Sequence, residues 1–329
     1  MFETLLVKPP MLPTSVSGAA ASHHNPRESR ATMALGPPFA DNGNSLPFFD
    51  GFLMIGITWF NNSAFYPDGS HNYTVQQDWL AFLDLQLTMG AENLDRASNT
   101  TGMEPKFALT IPFPDPRAEV WGVTEEGRAL NLSVAVDRIA AACWFVDMAV
   151  SRLLMLGLRH ASFVGFYWFN EHIIPEDFPV VQAVAQHIHS QVGHPKLVFF
   201  WIPYFEAEGW QSWQELGFDF ATLQPNWAFH SHVVSNHTLT KDELFARVAN
   251  DTHCHGLGVE MELPLSVRNP QILNESWRAS FDAYTNASKE HGWGKTMRTY
   301  YYGNDFVLMA AAAPDYFVKL YDAVAGVQL

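Results

Sequence analysis

The feature that most restricts the fold is an alternation: short apolar, aromatic-rich runs separated by longer stretches of helical period, recurring from about residue 32 onward. Runs this short and this apolar suit strands buried on both faces, and helices between them set such strands parallel. The spacing predicts strands over 32–35, 51–58, 107–112, 163–169, 197–203, 218–224, 257–263 and 299–302. Helices are expected over 75–87, 131–158, 179–191, 241–250, 275–290 and 315–324. Eight strands with intervening helices imply an α/β chain folded as a (β/α)8 TIM-type barrel. The strand at 32–35 is the weakest, and without it a seven-stranded or distorted barrel remains. Residues 1–30, rich in Pro, Ser, Ala and His, read as a disordered leader or targeting segment without a clear secretory signal, and 31–329 as one barrel domain. Residues 61–104, rich in Asn, Gly and Asp, are expected to include an irregular loop over the barrel mouth.

In such barrels the reacting groups stand where strands end, so the residues closing each run carry the functional reading. The fourth run closes Tyr167-Trp168-Phe169-Asn170-Glu171-His172. A carboxyl placed after an aromatic run sits against low-dielectric walls that raise its pKa toward that of a general acid. A solvated loop-start glutamate, or one paired with His172, is the structural alternative. The seventh run reads Gly258-Val259-Glu260-Met261-Glu262-Leu263, in which alternation turns Glu260 and Glu262 to the same face. Glycoside hydrolysis needs one carboxyl to protonate the leaving oxygen and another to attack or to activate water, about 5–9.5 Å away. Glu171 is the candidate acid/base, with Glu262, or else Glu260, as nucleophile or base. Trp168, Trp201, Tyr204, Gln224, Asn226, Tyr301 and Asn170 are the candidate sugar contacts, because flat aromatic faces stack on pyranose rings and amides and hydroxyls bond to sugar hydroxyls.

Composition narrows the alternatives. A formal net charge of -15 argues against a nucleic-acid partner, and the apolar runs carry too many charges to predict a transmembrane segment. Two cysteines, Cys143 and Cys254, allow one disulfide and no cysteine-based metal cluster. The scattered histidines lack metalloprotease spacing, and the elbow, phosphate-loop and dinucleotide motifs are missing, so no metal or cofactor is expected. Asn-x-Ser/Thr sequons begin at Asn61, Asn72, Asn99, Asn131, Asn236, Asn250, Asn274 and Asn286, where chance would give about two. That density points to a secreted or cell-surface glycoprotein bearing N-linked glycans.

Five fragments in order, Gly165-Phe-Tyr-Trp-Phe-Asn-Glu171, Trp201-Ile-Pro-Tyr204, Gly217-Phe-Asp219, Gln224-Pro-Asn226 and Gly258-Val-Glu-Met-Glu262, resemble domain-of-unknown-function family 4855 from about Phe48 onward. A looser similarity is to the TIM-barrel clan of retaining glycoside hydrolases, whose acid/base follows an Asn at the end of the fourth strand and whose nucleophile ends the seventh. Asn170-Glu171 and Glu262 match that arrangement, while the paired Glu260 and Glu262 leave the nucleophile open. The resemblance implies a glycoside hydrolase acting on a polysaccharide or glycoconjugate. The alternative is a non-catalytic surface or assembly glycoprotein that uses its cleft to bind a glycan or a protein.

Overall fold

In a computed structural model of the chain, the residues described are 3–8, 39–41, 44–46, 51–56, 59–60, 63–67, 71–192, 196–228, 239–263, 275–301 and 314–325. The strands of the main sheet are β1 (Glu3–Lys8), β2 (Gly51–Gly56), β3 (Lys106–Ile111), β4 (Ser162–Trp168), β5 (Val198–Trp201), β6 (Phe220–Leu223), β7 (Gly258–Glu262) and β8 (Arg298–Tyr301). From β2 to β8 the neighbours pair in parallel and in sequence order, each apolar run becoming one strand. Right-handed twist accumulated over seven parallel strands curls the sheet into a half-barrel.

The eight-unit (β/α)8 barrel expected from the sequence is not what forms. Seven strands are parallel, and the element beside both edges, β1, runs antiparallel to β2 and to β8. It comes from inside the segment read as a leader. The expected strand at 32–35 lies outside the described residues, as does Tyr302. The βα alternation also breaks once: only a single turn, Trp210–Ser212, separates β5 from β6. A run of eight apolar segments satisfied the rule of eight in the sequence, but the rule presumes that every strand has its own crossover helix.

Among the described residues seven helices cover the convex face: α1 (Gln76–Leu85), α2 (Glu92–Thr101), α3 (Ala135–Leu156), α4 (Phe178–His189), α5 (Lys241–His255), α6 (Glu275–Glu290) and α7 (Pro314–Ala325). Helix α3 buries Ala141, Ala142, Phe145, Val146, Ala149, Val150 and Leu153 at three- and four-residue spacing, and Phe145 meets Trp79 of α1 edge-on at 5.8 Å. It ends at Gly157, whose φ of 60° supplies the left-handed cap. Among the described residues this helix alone is long and apolar enough to cross a membrane, and its apolar stripe is already used in packing against α1 and α4. Thr240 caps α5 through a reciprocal exchange with Glu243.

Within residues 61–104, expected to include an irregular loop beyond the helix at 75–87, the helical path runs on to Thr101. A six-residue π turn, Gln86–Ala91, joins α1 to α2. At its start the buried Gln86 side chain bonds both backbone groups of Thr110 on β3, at 2.6 and 3.0 Å. Cys143 and Cys254 are both free, and burial pushes the Cys143 thiol up to about 12.

The register shifts between Phe163 and Gly165 on β4, and at that bulge β5 comes so close that a Cβ on Gly165 would stand 2.0 Å from the Val198 carbonyl oxygen. The Gly165→Ala variant should therefore lose more than about 3 kcal/mol of stability, read from its urea midpoint. A midpoint matching the parent's would show that β4 and β5 separate freely at this point.

Candidate functional site

Which side chains reach the hollow follows from strand alternation anchored at a few contacts. Arg298 on β8 donates to the Ala323 carbonyl of α7 at 2.8 Å, so Arg298 and its lateral neighbour Val259 face the helices. Glu260 and its neighbour Thr299 then face the concave side. The hydroxyls of Thr222 and Thr299 meet at 2.9 Å from β6 and β8, passing over Gly258. Any Cβ at Gly258 would lie 2.7 Å from the Thr222 methyl, so glycine is what lets the two flanking strands touch.

Tyr167 supplies the opposite wall. Its hydroxyl lies within electrostatic reach of Glu171, Glu260 and Tyr301, and all three, together with burial, push its pKa well up. Strands β4 and β7 are separated by β5 and β6, so Tyr167 and Glu260 approach one another only across the hollow. Glu171, Glu260 and Glu262 thus influence one another electrostatically.

The three carboxyls are held differently. Glu171 keeps partial solvent contact but is deeply surrounded by protein; burial lifts its pKa to about 7 against an opposing hydrogen bond with Gln224. Glu260 is 4% exposed, and burial, then the charges of Glu262 and Glu171, hold it well above the usual carboxylate range against a hydrogen bond with Thr299. Glu262 is fully enclosed, and burial lifts it to about 8. Its opposition is the strongest of the three. The Tyr284 hydroxyl of α6 donates to one carboxylate oxygen, the Asn226 amide donates to the other at 2.9 Å, and the Ala228 amide adds a third bond.

Three buried carboxyls this close cannot all carry charge. Within the Glu260 and Glu262 pair the charge belongs on Glu262, where three donors receive it, and the proton on Glu260. Asn226 makes its bond from a left-handed backbone, with φ of 60°, a conformation that asparagine tolerates better than most residues.

The other expected sugar contacts divide. Tyr204 and Gln224 stand beside Glu171, and Tyr301 beside Tyr167. The Tyr204 hydroxyl bonds His172 Nδ1 at 3.0 Å, and the same nitrogen accepts the Glu208 amide at 3.1 Å. Asn170 is turned onto its own loop: its side-chain oxygen accepts the His172 amide at 3.1 Å and its carbonyl accepts the Trp201 indole at 2.8 Å.

Trp168 and Trp201 do not line the hollow. They are lateral neighbours on the face opposite Tyr167, buried with Phe199 and Phe218 against the helices. The bulge ahead of Gly165 sets which residues of β4 point inward, and a position count along the sequence does not register it.

Tyr167, Tyr284 and Thr299 are site residues that the sequence reading missed. Tyr167 was recoverable by parity, since the residue beside Trp168 must face the other way. Tyr284 carries no local signal, because it reaches Glu262 from a helix 22 residues downstream. Among the described residues no group of His, Cys, Asp or Glu is arranged to hold a metal ion.

The described sequon asparagines Asn72, Asn99, Asn250 and Asn286 are exposed, and Asn131 is partly buried; Asn61, Asn236 and Asn274 lie outside the described residues. Three of the exposed ones sit within helices.

No curated protein matches the chain. A profile described as "Domain of unknown function (DUF4855)" matches residues 38–325, which takes in the seven parallel strands and every carboxyl of the site. The chain belongs to the DUF4855 family.

Proposed function

We propose that this chain is a glycoside hydrolase acting on a polysaccharide or glycoconjugate through two carboxyl groups. The observation that carries the reading is Glu171 at the end of β4 facing the Glu260 and Glu262 pair of β7 across a shared hollow, with Tyr167 in reach of both walls. Glu171, poised at about 7, is the acid/base, since a general acid works best with a pKa near the working pH. Glu262, whose charge three donors support, is the nucleophile or base, and Glu260 is its protonated neighbour. Tyr204, Gln224, Asn226 and Tyr301 surround these groups with hydroxyl and amide functions suited to a polyol. The test is release of new reducing ends from a glycan panel by the parent chain and by Glu171→Gln.

A second reading, glycan binding without hydrolysis, draws on the complete enclosure of Glu262 and the engagement of both its oxygens. The same panel separates the two: retention of a glycan with no new reducing ends favours binding alone.

The sequon load supports passage through the secretory pathway to a secreted or cell-surface location. Protein from a eukaryotic secretory host should migrate faster after N-glycosidase treatment, with Asn72, Asn99, Asn250 and Asn286 the modified sites. Unchanged migration would sink that part of the proposal.

A further inference from the structure

Below the carboxyls the hollow changes character. Phe200, the lateral neighbour of Tyr167 with its ring 6.1 Å away, also lines a cavity of about 960 Å³ at the N-terminal ends of the strands. Its walls are mainly apolar, with Phe52, Phe163, Phe200 and Leu257 among them, and Phe220 at the edge is 44% exposed. In (β/α)8 barrels this space is filled by layers of branched side chains. Among the described residues none fills it, and its size is at the upper end for a site that encloses a small molecule.

The rim bears one sign of charge to an unusual degree. The chain has seven lysines against a net charge of -15. Three of them, Lys106, Lys196 and Lys295, stand around this one opening, at the starts of β3 and β5 and just ahead of β8. Lys196 is paired with Asp219 at 2.8 Å. Among the described residues no carboxylate forms an ion pair with Lys106 or Lys295. An apolar chamber with Lys106 and Lys295 at its rim, in a protein otherwise acidic, complements a molecule with a long hydrocarbon body and an anionic end.

We propose that this cavity is a binding site for a long-chain fatty acid, the acyl chain lying against Leu53, Ala108 and Phe200 and the carboxylate meeting Lys106 and Lys295. The site is separate from the carboxyl group above and does not depend on the hydrolase reading.

Titration of palmitate into the full-length chain, followed by displacement of a fluorescent fatty acid, should show saturable binding at one site. Hexadecanol, with the same body and no charge, should bind at least about tenfold more weakly, and Lys106→Glu/Lys295→Glu should lose a similar factor for palmitate. Absence of saturable displacement would overturn the proposal, as it would if residues 9–38 or a second copy of the chain fill the cavity. Equal affinity for palmitate and hexadecanol would also overturn it, by removing the role of the lysines. That comparison uses the unmodified chain, so it decides the matter even if the double variant does not fold.

Discussion

Replacing Glu171 by Gln should lower turnover of a cleaved glycan by about 10²–10⁴-fold while leaving glycan affinity close to that of the parent. The substitution keeps the shape of the side chain and its hydrogen-bonding reach to Gln224, and removes only the transferable proton. The working form holds its proton on Glu171 and its charge on Glu262, which burial lifts to about 7 and about 8, so the parent's kcat/KM should follow a bell with its maximum between those two values. Turnover by Glu171→Gln within threefold of the parent would remove this residue from the reaction. An activity flat between pH 6 and pH 8 would remove its role as the acid.

The second large effect is on stability. Glu171 and Glu262 titrate near 7 and near 8 in the folded chain, against 4.5 for a free glutamate, and Glu260 titrates well above that value. Between 4.5 and about 8 the folded chain therefore holds more protons than the unfolded one. Stability is fullest below pH 4.5 as far as these groups are concerned, and declines as pH rises through that window.

Glu260→Gln takes away the least compensated of the three and relieves its repulsion on Glu262 and Glu171. Its Tm should equal the parent's near pH 4.5 and exceed it increasingly toward pH 8, by roughly 2–4 °C for each kcal/mol relieved. Comparing the two proteins at each pH cancels the general repulsion of an acidic chain. A Tm difference that does not change with pH would mean that Glu260 is neutral in both states or exposed in both.

Much of this architecture is legible in the residues. The parallel strands β2–β8 are readable because strands covered on both faces are nearly continuous apolar runs. Glu260 and Glu262 stand out because two carboxyls interrupt such a run at a spacing of two. The architecture class fails on a count: an eighth weak run was taken to complete a set of eight, while the position beside both edges is held by an antiparallel segment that no crossover rule anticipates. The helical path from α1 to α2 is hidden because Met89-Gly90-Ala91 reads as a break. What carries the chain through it is the pairing of Gln86 with Thr110, 24 residues away. Trp168 and Trp201 were placed by position along a strand, whereas the register makes them lateral neighbours on the face opposite Tyr167 and Phe200. Each of these misses concerns a contact between residues distant in sequence.

The rings of Tyr167 and Phe200, lateral neighbours on β4 and β5, form one stretch of wall between the carboxyl site and the apolar cavity. A guest in the lower chamber and a guest in the upper one would never share a contact. Each would bind with an affinity indifferent to the other, unless one of them tilts those rings. The angle between the ring planes, 45° here, is thus one coordinate along which the two sites could communicate.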